Sequence, residues 1–464
     1  MAHDGNRWLP VPAGSRPEPA ADVETIATGW GNGRDGDGGS PPVIGRVLSV
    51  VALAGPQSTR SRARVVAPVV GLALLAAACG GNGGDSAGSG GPAARDEPSG
   101  VDRGTPAPVE QVAASPPEAV PSALDDPRDG SFPEPLVDPG DLRSGGPPPD
   151  GIPSIDEPKF LRADEVGFLA DTEPVLALEV GDEARAYPVQ VLIWHEIVND
   201  TLDGVPVTVT YCPLCNSAIA YDRRLGDRVL EFGTSGMLFN SALVMYDRQT
   251  ESLWSHFTGD AVIGHLAGER VEVFPMATVS WADWRDAHPD GLVLSRDTGF
   301  DRDYGRNPYP GYDDVDSSPF LFDGEVDGRL AAMERVVGIE RDGDAVAVRL
   351  DELADRGVVE IDLAGTRLVV WVRPGAVSAL DAGSVAGGRE VGATGVFEPV
   401  AGDRALSFER DGDGFVDDET DSRWNVLGEA VDGPLDGTVL EPVAHLDTFW
   451  FAWASFRPDT EIVP

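Results

Sequence analysis

The sequence predicts a strand-rich α+β fold, in which two tandem, diverged repeats pack as one globular body after a disordered N-terminal region. Three observations support this prediction. Apolar and polar residues alternate over many short runs, which is typical of strands. One ordered series of motif residues occurs twice in the C-terminal part. Gly, Pro, Ser, Ala and Asp dominate residues 80–150, a composition that cannot form a packed core.

The charge of the chain excludes two classes of partner. Its 464 residues include 78 Asp and Glu against 35 Lys and Arg, for a formal net charge of -43. Such a surface cannot displace phosphate counterions, so we expect no nucleic-acid partner. It also does not favour electrostatic binding to anionic lipid. A membrane contact therefore requires another kind of attachment.

A basic and apolar leader offers that attachment. Arg60, Arg62 and Arg64 precede an apolar run over residues 65–78 and then Cys79. The run is shorter than the roughly 20 residues that span a bilayer, but it has the layout of a secretory signal. Because Ala-Ala-Ala-Cys resembles a lipobox, we expect residues 60–79 to be a lipoprotein signal peptide with the lipid on Cys79. The mature protein would then be anchored to the cell membrane, facing the extracellular or periplasmic side.

The remaining chain divides into four further segments. We expect residues 1–59 to be a disordered extension or to precede the true start, and residues 80–150 to be a disordered tether. Residues 151–320 form the first repeat and residues 321–464 the second. The repeat is visible as one series of turn and core residues, whose spacing is the same in both copies up to the first Trp and again from the first Gly onward: Asp247, Thr250, Ser252, Trp254, Gly259, Gly264, Gly268, Trp281, Trp284 and Pro289, then Asp417, Thr420, Ser422, Trp424, Gly428, Gly433, Gly437, Trp450, Trp453 and Pro458.

Each copy reads as mixed secondary structure in which strands outnumber helices. The patterns predict strands in the first copy at residues 175–180, 184–191, 205–211, 218–221, 229–232 and 242–246. They predict a short helix over residues 194–200. A second helix is predicted over residues 281–287, because Trp281 and Trp284 have helical spacing and Pro289 follows.

The pair Cys212 and Cys215, in the sequence Cys-Pro-Leu-Cys, is the feature best suited to chemistry. The matching positions of the second repeat are Arg373 and Ala376, so the fold does not require the pair. Three interpretations stay open: thiol-disulfide redox chemistry, a metal site, and a structural disulfide or two inert buried thiols.

The first two interpretations assign different roles to the same residues. In the redox interpretation Cys212 is the exposed attacking thiol, Cys215 resolves the intermediate, and His195 and Glu196 tune the pair. In the metal interpretation Cys212 and Cys215 need two more ligands to close a tetrahedral site for Zn or Cu. The side chains available are His195, Glu196, His256, His265 and His288, of which His195 and His256 are the preferred choice.

Several motifs follow one another in this region: WHEIVND at residues 194–200, TYCPLCNSA at 210–218, YDRQTESLW at 246–254, and RDY at 302–304 with NPY at 307–309. With these motifs, the chain from about Pro174 to Pro464 resembles the "domain of unknown function 3179" family of exported proteins. The resemblance implies no established activity. Some members are labelled as selenoproteins, which implies selenocysteine at a cysteine position and favours redox chemistry. Asn216 stands where the resemblance leads us to expect Gly.

Two other features remain open. Tyr304, Tyr309 and Tyr312 lie in a segment rich in Gly, Pro and Asp that joins the repeats, where they could bind a sugar or peptide or cover a core. The acidic residues from Asp411 to Asp417 have the rhythm of a calcium loop, although Thr420 replaces the expected Glu, which favours a plain acidic turn.

The sequence therefore predicts an exported, lipid-anchored surface protein with a thiol redox site and a redox partner protein. The alternatives are a Zn or Cu delivery protein and a binding module without chemistry, and whether the chain is an enzyme stays open.

Overall fold

The computed structural model describes residues 121–463, and the fold is strand-rich with four short α helices in this part of the chain. We call residues 160–294 the first half and residues 335–463 the second half. The first half, with one strand ahead of it, contains β1 (Arg143–Ser144), β2 (Phe160–Arg162), β3 (Pro174–Val180), β4 (Glu183–Pro188), α1 (Val189–His195), β5 (Ile197–Leu202), β6 (Val205–Cys212), β7 (Ser217–Asp222), β8 (Arg224–Leu225), β9 (Arg228–Val229), β10 (Phe232–Phe239), β11 (Ala242–Asp247), β12 (Leu253–Ser255), β13 (Ala261–Ile263), β14 (Val273–Phe274), β15 (Met276–Ser280), α2 (Trp281–Ala287) and β16 (Leu292–Leu294).

The second half contains β17 (Arg335–Arg341), β18 (Asp344–Arg349), α3 (Leu350–Arg356), β19 (Val358–Leu363), β20 (Thr366–Arg373), β21 (Ala393–Glu398), β22 (Val400–Ala401), β23 (Arg404–Ala405), β24 (Phe408–Asp411), β25 (Gly414–Asp417), β26 (Arg423–Trp424), β27 (Ala430–Asp432), β28 (Glu441–Pro442), β29 (His445–Phe449), α4 (Trp450–Phe456) and β30 (Glu461–Val463). None of the four helices described in residues 121–463 is long and apolar enough to cross a membrane.

The sheets of the two halves have matching strand orders. The order β15-β3-β4-β16 corresponds to β29-β17-β18-β30, and in both sheets the last pair is parallel while the others are antiparallel. The order β14-β7-β6-β5 corresponds to β28-β21-β20-β19, and β10-β11-β12-β13 corresponds to β24-β25-β26-β27. One cluster of buried apolar side chains contains residues from both halves, including Leu176 and Trp453.

Local sequence explains the elements that matter for the site. In β6, β-branched and aromatic residues favour an extended backbone, and the strand pairs with β5 on one side and β7 on the other. Helix α2 begins at Trp281 because the Ser280 side chain accepts the backbone N–H of Asp283 at 3.1 Å. Trp281 and Trp284 then stack on the buried face, with ring centroids 5.7 Å apart. The structure thus confirms the helix expected over residues 281–287.

The helix expected over residues 194–200 is wrong. The helix is α1, which starts directly after Pro188, and the chain leaves it at Glu196 with a φ of 60°. Residues 197–202 form β5 instead, because apolar Ile197, Val198 and Leu202 suit a buried strand. The strand expected over residues 184–191 accordingly ends at Pro188, and the run 229–232 is split between β9 and the start of β10.

Residues 121–150, which were expected to belong to the disordered tether, are ordered in the structure. Strand β1 pairs with β10, and the backbone N–H of Leu136 donates to the carbonyl of Val262 at 2.8 Å. Scattered apolar residues explain the difference, since Ala123 is fully buried and Phe132 packs on His265 with ring centroids 5.0 Å apart. The segment covers sheet edges that would otherwise be exposed. The expected leader, Cys79 and the extension over residues 1–59 lie outside the described residues.

The residues shared by the two halves form the same turn twice. The buried carboxylate of Asp247 accepts hydrogen bonds from Thr250 N at 2.7 Å and Trp254 Nε1 at 2.9 Å, and Asp417 does the same with Thr420 N and Trp424 Nε1 at 2.6 and 3.0 Å. The run from Asp411 to Asp417 is a β-hairpin, and the Asp411 carboxylate pairs with Arg423. These carboxylates are therefore engaged in turn and hairpin contacts.

These two turns give a matched prediction about stability. We expect Asp247→Asn and Asp417→Asn each to lower the free energy of unfolding by ~2 kcal/mol, because an amide donor replaces a buried acceptor. Urea unfolding of the two variants measures this. A loss below ~0.5 kcal/mol in either variant would show that the turn does not stabilise that half.

Candidate functional site

The two cysteines lie at the ends of a tight turn between two central strands. Strand β6 ends at Cys212, β7 begins at Ser217, and these two residues are paired in the sheet register. We call residues 212–217 the dithiol turn. Asn216 has a φ of 50°, a backbone conformation that Gly and Asn adopt at least cost. This explains why Asn can stand where the resemblance predicted Gly.

Both cysteines are free thiols and both are buried. Cys212 is 2% exposed and Cys215 is fully buried. The expectation that Cys212 is exposed is therefore wrong. The reason is tertiary: residues distant in sequence cover the turn, and nothing in the local pattern indicates them.

The two thiols have pKa values shifted in opposite directions. Burial opposes ionisation of Cys212, but hydrogen bonds from the Cys215 side chain and from backbone groups of Cys215, Leu243 and Leu214 outweigh it and lower the pKa of Cys212. Burial raises the pKa of Cys215 well above its usual range, and the adjacent Cys212 raises it further. The arrangement favours a thiolate at Cys212 and a neutral thiol at Cys215.

A chain of buried polar side chains runs from Cys215 into the protein. The Sγ of Cys215 lies 3.0 Å from Ser217 Oγ, which lies 2.8 Å from His256 Nε2, and His256 Nδ1 lies 2.9 Å from Thr210 Oγ1. Because Thr210 donates its own proton to the carbonyl of Ile219 at 2.9 Å, we assign the imidazole proton to Nδ1. Nε2 then accepts from Ser217, whose hydroxyl oxygen lies next to the Sγ of Cys215.

The environment of His256 keeps its ring neutral in the dithiol form. Burial lowers the pKa of His256 to about 3, which a hydrogen bond with the backbone of Ser217 partly offsets. Its Nε2 lone pair therefore accepts a hydrogen bond from Ser217 at neutral pH. Sequence reasoning identified His256 only as a metal ligand and missed Ser217 and Thr210. The adjacency of Ser217 to the cysteine pair was the available signal.

Glu196 lies beside the dithiol turn in an unusual backbone conformation. The Tyr211 N–H donates to the Glu196 carbonyl at 2.8 Å, next to the end of β6. Glu196 is 8% exposed, and burial, together with the nearby Cys212, raises the pKa of its carboxyl well above the usual range. Its φ of 60° is one that non-glycine residues rarely adopt. The corresponding residue after α3 is Gly357, with a φ of 82°. Such an outlier points to a functional demand at Glu196.

His195 is buried but forms no hydrogen bond with either cysteine among the contacts of residues 121–463. Its Nδ1 bonds the carbonyl of Pro153 at 2.7 Å and its Nε2 bonds the Tyr304 hydroxyl at 2.6 Å. Burial lowers the pKa of His195 to about 4, against a smaller opposing effect of the Pro153 bond. The structure thus places His195 under the tyrosines and not against the thiols.

The tyrosines cover the dithiol turn. We call residues 299–318 the tyrosine segment. The Tyr312 hydroxyl donates to the carbonyl of Leu214, within the turn, at 2.9 Å. Tyr309 is half-buried near Glu196 and Cys212, and the burial of its hydroxyl, with the charges of those two residues, raises the pKa of that hydroxyl well above the usual range. Tyr304, Tyr309 and Tyr312 therefore pack on the protein interior.

Within residues 121–463, no group of three or more His, Cys, Asp and Glu side chains is placed to hold a metal ion. Both ring nitrogens of His195 and of His256 have hydrogen-bond partners. His265 bonds the carbonyl of Pro121, and His288 lies 3.2 Å from Glu179. Each of the histidines considered as a metal ligand is thus engaged in another contact.

The second half has an ion pair at the end of β20, where the first half has the dithiol turn. Arg373, which occupies the position of Cys212, pairs with the carboxylate of Asp283 in α2 of the first half. Ala376 stands in place of Cys215 and Val426 in place of His256, and both are buried. The second half has no tight turn at this place: Arg373 pairs with Ala393, so 19 residues connect β20 to β21 where four residues connect β6 to β7.

The fold and the site together define a strand-rich protein with two topologically matching halves and a buried dithiol turn in one of them. A family model described as "Protein of unknown function (DUF3179)" matches residues 149–460. The chain belongs to this family, as its motifs had indicated. No curated protein and no solved structure matches the chain.

The backbone of Glu196 gives a prediction that separates function from stability. We expect Glu196→Gly to have a free energy of unfolding no lower than that of the wild type. Relief of a strained φ gains ~1–3 kcal/mol, which offsets the entropy cost of glycine. Chemical denaturation measures the change.

Gly357→Ala is the matched control, since its Cβ would lie 2.8 Å from the Cβ of Arg410 at a positive φ. It should lower the free energy of unfolding by ~1–3 kcal/mol. Destabilisation of Glu196→Gly by more than ~1 kcal/mol would contradict the presence of strain at Glu196.

Proposed function

We propose that Cys212 and Cys215 form a redox couple that cycles between dithiol and disulfide. The observation that carries the proposal is the opposite pKa shift of two free thiols in one turn, with Cys212 lowered and Cys215 raised. The second half supports it, because β20 and β21 pair there with Arg373 and Ala376 at the aligned positions and without cysteine.

The chemistry assigns one role to each sulfur. The Cys212 thiolate attacks an oxidant that has a cleavable S–S or O–O bond; that bond breaks, and the leaving fragment takes a proton. Cys215 then attacks Cys212 Sγ and expels the second fragment. Two thiols have lost two electrons and two protons, the oxidant has gained them, and one S–S bond has formed.

The polar chain behind Cys215 serves the second step. A neutral thiol is a poor nucleophile, and burial keeps Cys215 neutral. Ser217 accepts the thiol proton while passing its own to His256 Nε2, at separations of 3.0 and 2.8 Å. The resulting imidazolium is stabilised by the adjacent thiolate and by Thr210.

We further propose that this site works outside the cytoplasm on a lipid anchor. The basic residues before the apolar run and Cys79 support a lipoprotein signal. A dithiol–disulfide couple suits such a compartment, where thiols tend to oxidise.

The two halves arose, we propose, by duplication, after which one copy lost or never gained the thiol chemistry. The shared motif spacing and the matching orders of three sheets support this origin. The second half has a longer connection in place of the turn, and the end of its β20 contacts α2 through Arg373 and Asp283.

Intact mass of the full-length protein tests the redox couple. Oxidation by diamide should remove about 2 Da, which reductant restores, because one disulfide forms from two thiols. Elemental analysis is done on the same sample. Cys212→Ser and Cys215→Ser should each abolish the change. Failure of the wild type to lose this mass, or a bound Zn or Cu that disappears in Cys212→Ser, would contradict the proposal.

The pH dependence of alkylation tests the assignment of the nucleophile. Because the pKa of Cys212 is lowered, its thiolate persists below the pH at which an ordinary cysteine, with a pKa of about 8.5, becomes protonated. The rate of iodoacetamide labelling at Cys212 should therefore reach its plateau at lower pH than that of free cysteine. A plateau at higher pH would exclude Cys212 as the activated thiol.

Ser217→Ala should slow disulfide closure by roughly tenfold without changing the pH profile of Cys212 labelling, because only the proton path of Cys215 is cut. Rapid quenching with a second alkylating reagent measures closure. Ser378→Ala is the control: it removes the buried hydroxyl that aligns with Ser217 in the sequence of the second half and that bonds Asp313 and not a thiol. Equal closure rates in Ser217→Ala and the wild type would exclude the relay.

A further inference from the structure

We infer that the second half binds a small zwitterion with an apolar body, a free amino acid or a dipeptide, in a cavity at the end of β20. The inference goes beyond the proposed redox couple and does not depend on it. It rests on the position of the cavity, on its apolar lining, and on two oppositely charged side chains of that lining that form no ion pair within residues 121–463.

The cavity lies where the first half has the dithiol turn. Strand β20 ends at Arg373, which is aligned with Cys212, and residues 374–392 replace the four residues that connect β6 to β7. Pro374 and residues 389–392, from the two ends of this longer connection, form one wall of the cavity. The longer connection therefore builds a space at the place where the first half holds its thiols.

The cavity has the size and the apolar surface of a site for a small organic molecule. Its volume is about 380 Å³, which lies within the range of roughly 300–1,000 Å³ that is usual for ligand pockets. Leu350 and Ala354 of α3, together with Met333 and Val372, contribute apolar surface. Val315 of the tyrosine segment also lines the cavity and is 50% exposed. An apolar group on the ligand would remove this surface from water, which favours binding.

Four of the six charged side chains that line the cavity are already in ion pairs with residues outside the lining: Arg335, Arg389, Glu334 and Asp351. The buried carboxylate of Asp313 lies 2.9 and 2.8 Å from the guanidinium groups of the two arginines. The guanidinium of Arg349 lies 2.6 and 2.7 Å from the carboxylates of the two acids. These four side chains are thus engaged within the protein, and the ligand must be recognised by the other two.

Glu390 and Arg410 are the remaining charged residues of the lining, and neither forms an ion pair in the part of the chain that the structure describes. The Arg410 guanidinium donates a hydrogen bond to the carbonyl of Ala354 at 3.0 Å, which leaves other N–H groups for a ligand. The Arg410 side chain crosses Gly357, where a Cβ atom would lie 2.8 Å from the Cβ of Arg410. Gly357 thus leaves room for Arg410 at the position that Glu196 occupies in the first half.

These two free charges favour a ligand that carries both a carboxylate and an ammonium group. A guanidinium can bind a carboxylate through two parallel hydrogen bonds, and a carboxylate accepts hydrogen bonds from an ammonium group. A ligand with only one charge would leave either Arg410 or Glu390 without a contact. A free amino acid and a dipeptide both carry the two groups and differ in how far apart these groups lie, so leucine and leucyl-leucine serve as the probes.

Saturation-transfer NMR titrations of the reduced full-length protein with leucine and with leucyl-leucine test the inference. At least one of the two should bind. Acetylation of its amino group, or conversion of its carboxylate to an amide, should weaken binding roughly tenfold or more, because each change removes one charged hydrogen-bonded contact. Binding of leucine indicates a free amino acid as the ligand, and binding of leucyl-leucine alone indicates a dipeptide.

Two variants connect each charge of the ligand to one side chain. Glu390→Gln should weaken binding of the zwitterion roughly tenfold and leave binding of its acetylated form unchanged, because that form has no ammonium group for Glu390. Arg410→Gln should likewise weaken binding of the zwitterion, and here the amide is the form whose binding stays unchanged. Glu441→Gln and Arg404→Gln are the matched controls, since both residues are exposed in the second half and lie outside the lining of the cavity. Neither control should change any affinity.

Absence of binding by both zwitterions at ~10 mM, a concentration at which a complex with a Kd of about 1 mM would be mostly formed, would overturn the inference. Equal affinity for the zwitterion and its two blocked forms would also overturn it, as would equal affinity in the wild type and in both lining variants. The mass change with diamide reports on the redox couple separately, so that couple stands or falls independently of these titrations.

Discussion

The carbonyl oxygen of Cys215 accepts two hydrogen bonds from the second half, from Thr448 Oγ1 at 2.8 Å and from Phe449 N at 3.1 Å. This contact fixes the dithiol turn against the start of α4, and much else depends on it. Because the turn is held from behind, both sulfurs are buried. Burial raises the pKa of Cys215, whereas hydrogen bonds within and around the turn lower that of Cys212 despite its burial. The half without cysteines is thus part of the thiol site.

The comparison of the two halves shows which residues the fold needs and which the chemistry needs. Asp247 and Asp417, with their Thr and Trp partners, are shared and support the same turn. The chemical set is different: Cys212 becomes Arg373, Glu196 becomes Gly357, and His256 becomes Val426. Where the thiols are absent, the end of β20 forms an ion pair with Asp283. Only the first half therefore has a strained backbone at this position, at Glu196. Such strain lowers stability and is expected where a residue serves function.

Local pattern predicted the elements whose signals are local. Helix α2 followed from the tryptophan spacing, and β6 from its β-branched residues. The helix near residue 194 was placed too late, because the positive φ of Glu196 ends α1 where the sequence shows a glutamate and not the usual glycine. Residues 121–150 were expected to be disordered because single apolar residues among Gly and Pro reveal nothing of the sheet edges they cover.

The sequence revealed only part of the site, again because only local signals can be read from it. The cysteine pair and its absence from the second repeat could be read directly. The link from Ser217 through His256 to Thr210 joins residues 39 and 46 positions apart, and no periodicity records it. Cys212 was expected to be exposed because no neighbouring residue indicates that the turn is covered. Tyr309 and Tyr312, which cover it, belong to a segment about 100 residues later.

A redox titration shows whether Cys212 and Cys215 form one two-electron couple. The full-length protein is equilibrated in thiol–disulfide buffers of stepped potential, quenched with acid and alkylated, and the fraction of free thiol is read from intact mass. One couple requires a single transition, in which the ratio of dithiol to disulfide changes tenfold for every ~30 mV. Two thiols that remain free across the whole range of potentials would contradict it.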